Sequence, residues 1–177
     1  EVEEVLFSVD GIAAGLSAFR AVNGRSRVLM LGQGDAAITL IDDTYNANPD
    51  SVEALVDVLA ELPGPRLLVL GDMGEVGEQG PAFHAEAGRA AREQGLEHVL
   101  VLGALAVHVL DGNPHAEHFD SLDALIVRAQ ALLPQVASVL VKGSRFMRME
   151  QVVEALAAAT QIQTHKPAPA APAGGAQ

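Results

Sequence analysis

Cysteine is absent from the 177-residue sequence, so neither a disulfide framework nor a thiolate nucleophile is available, and a cytoplasmic protein is the expectation. Tryptophan is absent as well, tyrosine occurs once, and aromatic residues make up only 3% of the chain, which leaves Leu, Val, Ile and Ala to build the core. That scarcity also removes the aromatic platform on which unpaired bases stack. Positive charge is in short supply: 11 Lys and Arg face 23 Asp and Glu, for a formal net charge of -12. Phosphate-backbone affinity comes from neutralising cations, so no nucleic-acid partner is expected, although one local Lys or Arg suffices for a small phosphorylated ligand. No apolar run approaches the length of a membrane span, and Glu1, Glu3 and Glu4 are unlike the start of a signal peptide, so no membrane association is expected.

Three signatures are missing too. No G-x-x-x-x-G-K-[ST] occurs, so the chain has no P-loop with which to cradle a nucleoside triphosphate by itself. No G-x-G-x-x-G lies between a strand and a helix, which weakens a generic dinucleotide-binding reading. The histidines His84, His98, His108, His115, His118 and His165 never fall at the spacing of a site such as H-E-x-x-H. Surface or core positions are expected for all of them, with no metal held by the chain.

What is present is regular. Hydrophobic residues make up 49% of the sequence, enough for one good core in a chain of this length. A short amphipathic helix is expected around Ile12–Phe19, followed by a loop through Arg25. The chain opens without Met and partway into helix-like sequence, so a piece of a longer protein is expected. Val28–Leu31 and Ala36–Ile41 flank Gly32-Gln33-Gly34-Asp35, a hairpin signal. Helix-like and strand-like runs then alternate. A helix near 50–61 precedes a strand at Leu67–Leu70, and a helix near 81–94 precedes a strand at Val99–Leu102. A short helix after Gly103 leads to a strand around Glu117–Phe119, a helix at 121–133, a strand at Ser138–Val141 and a helix at 147–159. This alternation implies right-handed βαβ units, and the all-apolar runs Leu67-Leu68-Val69-Leu70 and Val139-Leu140-Val141 suit strands covered on both sides. The fold expected over residues 24–160 is therefore α/β: a doubly wound, mostly parallel sheet with an N-terminal antiparallel hairpin and helices on both faces. Pro, Ala and Gly dominate from Lys166 without periodicity, so residues 161–177 are expected to be a disordered tail.

The segment with most chemistry is Ile41-Asp42-Asp43-Thr44-Tyr45-Asn46-Ala47-Asn48-Pro49-Asp50-Ser51, between a strand-like and a helix-like run. Asp50 or Ser51 can cap the helix that Pro49 starts. Capping leaves Asp42, Asp43, Tyr45, Asn46 and Asn48 unexplained, and this many polar groups at a strand end suits a ligand crevice. The other strand ends are Gly71-Asp72-Met73-Gly74-Glu75, Gly103-Ala104 and Lys142-Gly143-Ser144-Arg145, and in a parallel sheet all of them share one edge. Gly71, Gly74 and Gly77 also fit plain tight turns, and Asp72 and Glu75 plain caps. Lys142 follows an apolar strand, so its ammonium has to reach water or an anion. Gly143-Ser144 between Lys142 and Arg145 resembles an anion-binding turn. Phe146, Met147 and Met149 suit packing, while Arg145 and Arg148 face either the cleft or solvent.

The motifs I-D-D-T-Y-N-A-N-P-D-S, V-L-G-D-M-G-E-V-G and V-L-V-K-G-S-R-F-M-R-M-E, in this order and spacing, resemble the C-terminal domain of the Mur ligase family over about residues 10–160. Within the family the likeness is to the members that join D-alanyl-D-alanine to UDP-N-acetylmuramoyl-tripeptide in peptidoglycan synthesis. The resemblance implies a Rossmann-like domain that closes over the ATP held by a central P-loop domain. That domain also supplies the Mg2+ site, so the isolated chain is expected to be inactive. Residues 1–23 then look like the end of the central domain and a linker. The resemblance implies that Arg25 reaches the ATP phosphates on closure and that Asp43 helps hold the nucleotide, with Tyr45, Asn46 and Asn48 as neighbours. It likewise implies that Asp72 and Met73, with Lys142, Gly143, Ser144 and Arg145, face the incoming dipeptide. Lys142 or Arg145 would take its carboxylate and Asp72 its ammonium. A monomer is expected, partnered by its own upstream domains and the two substrates.

One alternative comes from another class. A phospho-accepting receiver module places an acidic pair, a lone Asp and a Lys after successive strands, parts that Asp42-Asp43, Asp72 and Lys142 can play. Against it, Gly103-Ala104 stands where a hydroxyl is needed, and the hairpin before Asp42 spoils the strand order.

Overall fold

Six short runs rich in Val, Ile and Leu pair into one sheet in a computed structural model that describes residues 24–34 and 37–164. The strands are β1 (Arg27–Leu31), β2 (Ile38–Asp43), β3 (Arg66–Gly71), β4 (His98–Leu102), β5 (Glu117–Phe119) and β6 (Ser138–Lys142). Their order is β1-β2-β6-β3-β4-β5. β1 runs antiparallel to β2, with Arg27 opposite Asp42 and Leu31 opposite Ile38, and every other pairing is parallel. The expected helix around Ile12–Phe19, the hairpin residues Asp35 and Ala36, and the tail from His165 onward lie outside the described residues.

Side chains alternate across each strand and so feed two cores. Leu67 and Val69 face one side, where α4 (Leu122–Leu132) and α5 (Glu150–Thr164) bury Leu125, Ala129, Val152 and Leu156. Leu68 and Leu70 face the other, where α1 (Pro49–Glu61), α2 (Gly80–Glu93) and the single turn α3 (Val109–Gly112) bury Val56, Leu59, Ala91 and Val109. Apart from Met73 and Met149, the fully buried members of both clusters are Leu, Val, Ile and Ala, the core that the composition demands. The edge strand β5 is fastened to α4 by Arg128, whose Nε and Nη2 donate to the Glu117 carboxylate at 2.7 to 3.1 Å. No helix among the described residues is long and apolar enough to cross a membrane.

Two helices differ from the sequence expectation in their boundaries, and β2 extends to Asp43 where a strand ending at Ile41 was expected. α1 is capped by Asn48, not by Asp50 or Ser51. The Asn48 side chain accepts from Ser51 N at 2.9 Å, and Ser51 Oγ accepts from Asn48 N at 3.2 Å. The reason is Pro49: a residue before proline is driven into extended backbone, and Asn48, at φ -135° and ψ 164°, thereby takes the cap position. α5 begins at Glu150, because Arg145–Met147 form a 3-10 turn that Arg148 ends in left-handed backbone with φ 54°. The helix runs to Thr164, past its expected end at 159 and into the first residues of the segment 161–177 expected to be a disordered tail.

The order of the strands creates the site. The chain returns last as β6 and inserts between β2 and β3, so the carboxyl ends of three strands lie side by side. Lys142 sits opposite Asp43 on one neighbour and Leu70 on the other. A reversal of this kind leaves a crevice at the strand ends.

Candidate functional site

Lys142 ends a strand covered on both faces and is only 1% exposed. An ammonium that deep needs partners, and it finds two: it donates to the Asp43 carboxylate and, at 2.9 Å, to the carbonyl of Asn46. The other Asp43 oxygen accepts from Ser26 N at 2.7 Å and from Ser26 Oγ at 3.0 Å. Asp43 thus ties the turn that precedes β1 to the ends of β2 and β6. Asp42 points into separate work, accepting from Thr44 Oγ1 at 2.8 Å and Thr44 N at 3.3 Å.

Beyond this buried node the segment surfaces at Tyr45. The Arg25 guanidinium carbon lies 4.1 Å from the ring centroid and that of Arg145 lies 5.3 Å from it. A hydrogen bond from Arg25, followed by the charge of Arg145, holds the phenol below its usual pKa. Tyr45 N donates to the Gly24 carbonyl at 2.8 Å, so ring and turn are held together by backbone as well. A cleft of about 400 Å3 opens beside them, lined by Gly24, Asp42, Tyr45, Arg145, Glu150 and Glu154, among others.

The neighbouring turns are laced from below. Asp72 accepts through Oδ1 from Ala106 N at 2.7 Å and Leu105 N at 3.1 Å, capping the turn that follows β4. A Cβ on Gly103, which holds φ +127°, would stand 2.2 Å from that oxygen, so glycine is required there. His84 is fully buried. Its Nε2 accepts from Met73 N at 3.0 Å, so the proton is assigned to Nδ1, which donates to the Gly80 carbonyl at 2.7 Å. Burial is the main cause of its lowered pKa. Ser144 joins three segments: its N donates to the Asp72 carbonyl at 3.1 Å, while Oγ accepts from Gly74 N at 2.6 Å and donates to the Ala47 carbonyl at 3.3 Å. Gly143 sits on Met149, whose Cγ would be 2.6 Å from an added Cβ.

The residues singled out in the sequence therefore fall into two layers. Arg25, Tyr45, Asn46, Asn48 and Arg145 are exposed at the strand ends, with the Asn48 side chain engaged in the α1 cap. Asp72, Met73, Lys142, Gly143 and Ser144 are buried beneath them, and the Met73 side chain belongs to the core. Asp72, the acceptor that a receiver module requires, has Oδ1 committed to two backbone amides, which leaves that alternative without support. Sequence reasoning missed Ser26 and, while it allowed His84 a core position, missed the bond that His84 makes. Their partners, Asp43 and Met73, are distant in sequence, and no pattern announces either contact. Thr44 was the more legible omission, since an Asp two residues before a Thr readily closes a local turn. Among the described residues no group of three His, Cys, Asp or Glu side chains is placed to hold a metal ion.

The family described as Mur ligase, glutamate ligase domain, matches residues 26–145. The chain is 43% identical over 151 residues to the UDP-N-acetylmuramoyl-tripeptide–D-alanyl-D-alanine ligase of Escherichia coli (strain K12), covering 84% of this chain and 33% of the relative. Among solved structures, MurF from Acinetobacter baumannii superposes with a TM-score of 0.75 at 31% identity, over 86% of this chain and 34% of that one. MurF from Thermotoga maritima in complex with ADP superposes with a TM-score of 0.71 at 26% identity, over 84% and 34% respectively. The chain spans about a third of the length of these relatives. With its six-stranded sheet and its laced strand ends, the chain belongs to the Mur ligase family, of which it carries the C-terminal, glutamate ligase domain.

Proposed function

We propose that this chain is the C-terminal domain of an ATP-dependent ligase that adds D-alanyl-D-alanine to UDP-N-acetylmuramoyl-tripeptide, a cytoplasmic step of peptidoglycan precursor synthesis. The Escherichia coli relative at 43% identity carries that activity in its name. The observation that supports it most is the exposed Arg25–Tyr45–Arg145 group above the buried Asp43–Lys142 pair, at the strand reversal where α/β sheets bind ligands.

In this reaction the tripeptide carboxylate takes the γ-phosphoryl group of ATP and ADP leaves. The dipeptide amine then attacks the acyl carbon and expels inorganic phosphate as the amide forms. Nucleotide and Mg2+ are held mainly by the P-loop domain of the full ligase. The residues here fit a contributing role, because the exposed Arg25 lies against Tyr45, which lines the cleft, while no carboxylate cluster offers a metal site among the described residues. Arg25 meets the phosphates, and Asp43 orders both the Arg25 turn and Lys142. The turns at Asp72-Met73 and Lys142-Gly143-Ser144 face the acceptor dipeptide. Lys142 acts there by holding the second turn in place, since its own ammonium is already paired.

The test is phosphate release by the full-length ligase carrying this domain. Release is expected only with ATP, UDP-tripeptide and D-Ala-D-Ala together, and none from the isolated chain. Equal release with a single amino acid in place of the dipeptide would refute the acceptor assignment. Lys142→Ala is expected to raise KM for D-Ala-D-Ala, and an unchanged KM would remove Lys142 from the acceptor side.

A further inference from the structure

We propose that Tyr45 is a positioning residue that racks the guanidinium groups of Arg25 and Arg145 on one ring, so that both cations grip the same phosphoryl group as it is transferred. The inference rests on the ligase reading and assigns Arg145 to the phosphoryl group, where the sequence expectation put it against the dipeptide carboxylate.

The two arginines come from opposite ends of the domain and meet only at this ring, 4.1 and 5.3 Å from its centroid. Both are rooted in the buried lattice. The Arg25 turn is fixed on one side by Gly24 O to Tyr45 N and on the other by Ser26 to Asp43. Arg145 follows Ser144, which is bonded to Asp72, Gly74 and Ala47. Neither guanidinium has a carboxylate partner among the described residues, in a chain with 23 acidic side chains against 11 Lys and Arg. Glu150 and Glu154 line the adjoining cleft without pairing to them. Two like charges brought to one ring repel, and the π face offsets only part of that. A multiply charged anion bound by both removes the repulsion. Stacking also uses the face of a guanidinium and leaves most of its edge N–H donors for the forked bonds that phosphate oxygens accept. The lowered phenol pKa follows from the same proximity.

The sequence has one tyrosine and no tryptophan, so phenolate absorbance reports Tyr45 alone. In the 177-residue chain the phenol is expected to titrate below its ordinary value of 10.0. Inorganic tripolyphosphate is expected to move it back up, and Arg25→Ala or Arg145→Ala to abolish that response. A titration indifferent to tripolyphosphate overturns the clamp. In the full-length ligase, Tyr45→Ala is expected to lower kcat roughly 5- to 30-fold with KM for D-Ala-D-Ala unchanged, as loss of two exposed cation–π contacts implies. Tyr45→Phe, which keeps the stacking, is expected to recover most of it. Equal losses in the two variants, or a loss carried by the dipeptide KM, overturn the proposal. If the intact protein ligates nothing, the ligase reading falls, while the tripolyphosphate titration still judges the clamp.

Discussion

Replacing Lys142 by Met removes a charge from a buried ion pair and leaves its volume filled. The Lys142 side chain is 1% exposed and that of Asp43 15% exposed. Without the ammonium, Asp43 keeps both hydrogen bonds from Ser26 but loses its counter-charge, and the Asn46 carbonyl loses its donor. Removing one partner of a buried pair costs about 3–5 kcal/mol, and the residual water access of Asp43 sets the value near the lower end, about 3 kcal/mol. Met matches the stem of Lys closely enough that no cavity adds to this. With a urea m-value of about 2 kcal/mol/M, the unfolding midpoint followed by far-UV circular dichroism falls by about 1.5 M. Adding Asp43→Asn to Lys142→Met neutralises the orphaned carboxylate and preserves an acceptor for Ser26, so the double variant is expected to regain more than half of the loss. A single variant within about 0.5 kcal/mol of the parent, or strict additivity in the pair, would refute the reasoning.

Asp72→Ala strips the acceptor from Leu105 N and Ala106 N and is expected to cost about 1–3 kcal/mol by the same unfolding assay, whereas Asp72→Asn, which keeps one oxygen, costs less. Equal losses would show that charge, not capping, is what Asp72 supplies. His84 gives a pH signature. The unfolded imidazole takes its proton near 6.5, while the buried one does so only at lower pH. Below 6.5 the unfolded state therefore holds more protons. The His84 contribution is full above that pH and is lost as pH falls toward the folded value, by up to about 1.4 kcal/mol per pH unit. His84→Gln is expected to flatten that part of the stability profile, and a parallel profile would place the acid sensitivity elsewhere.

Much of the fold was legible because its strands are doubly covered. An apolar run too short for a helix, followed by a helical pattern, specifies a βαβ unit almost by itself, and Leu67–Leu70 and Val139–Val141 are such runs. The boundary at α5 was less legible because it depends on one left-handed residue, Arg148, which helix periodicity does not reveal. The Asn48 cap was readable in principle, since proline restricts its predecessor, but Asp50 and Ser51 offered equally good capping chemistry. At the site, the sequence located the strand ends and their polar residues. It did not say which carboxylates would be spent internally. Asp72 reads as a ligand group in the chain, and its second role, capping through Oδ1, was not legible because the amide donors belong to the turn after a different strand.

The internal bonds also decide what moves with what. Ser26 N and Oγ are held by Asp43, and Gly24 O by Tyr45 N, so Arg25 is pinned on both sides to the strand that carries the site. Arg145 is pinned to the same edge through Ser144. Rotation of the sheet as a body therefore carries Arg25, Tyr45 and Arg145 together, and no separate loop closure is needed to align them. On the ligase reading, a domain that closes over a nucleotide bound elsewhere delivers its cations as one preformed group, and preformed donors bind developing charge without first paying to reorganise. The buried Asp43–Lys142 pair, weak ground for stability on its own, earns its place as the fixed point of that group: it joins the turn before β1 to the last strand of the sheet, the two places from which the arginines project.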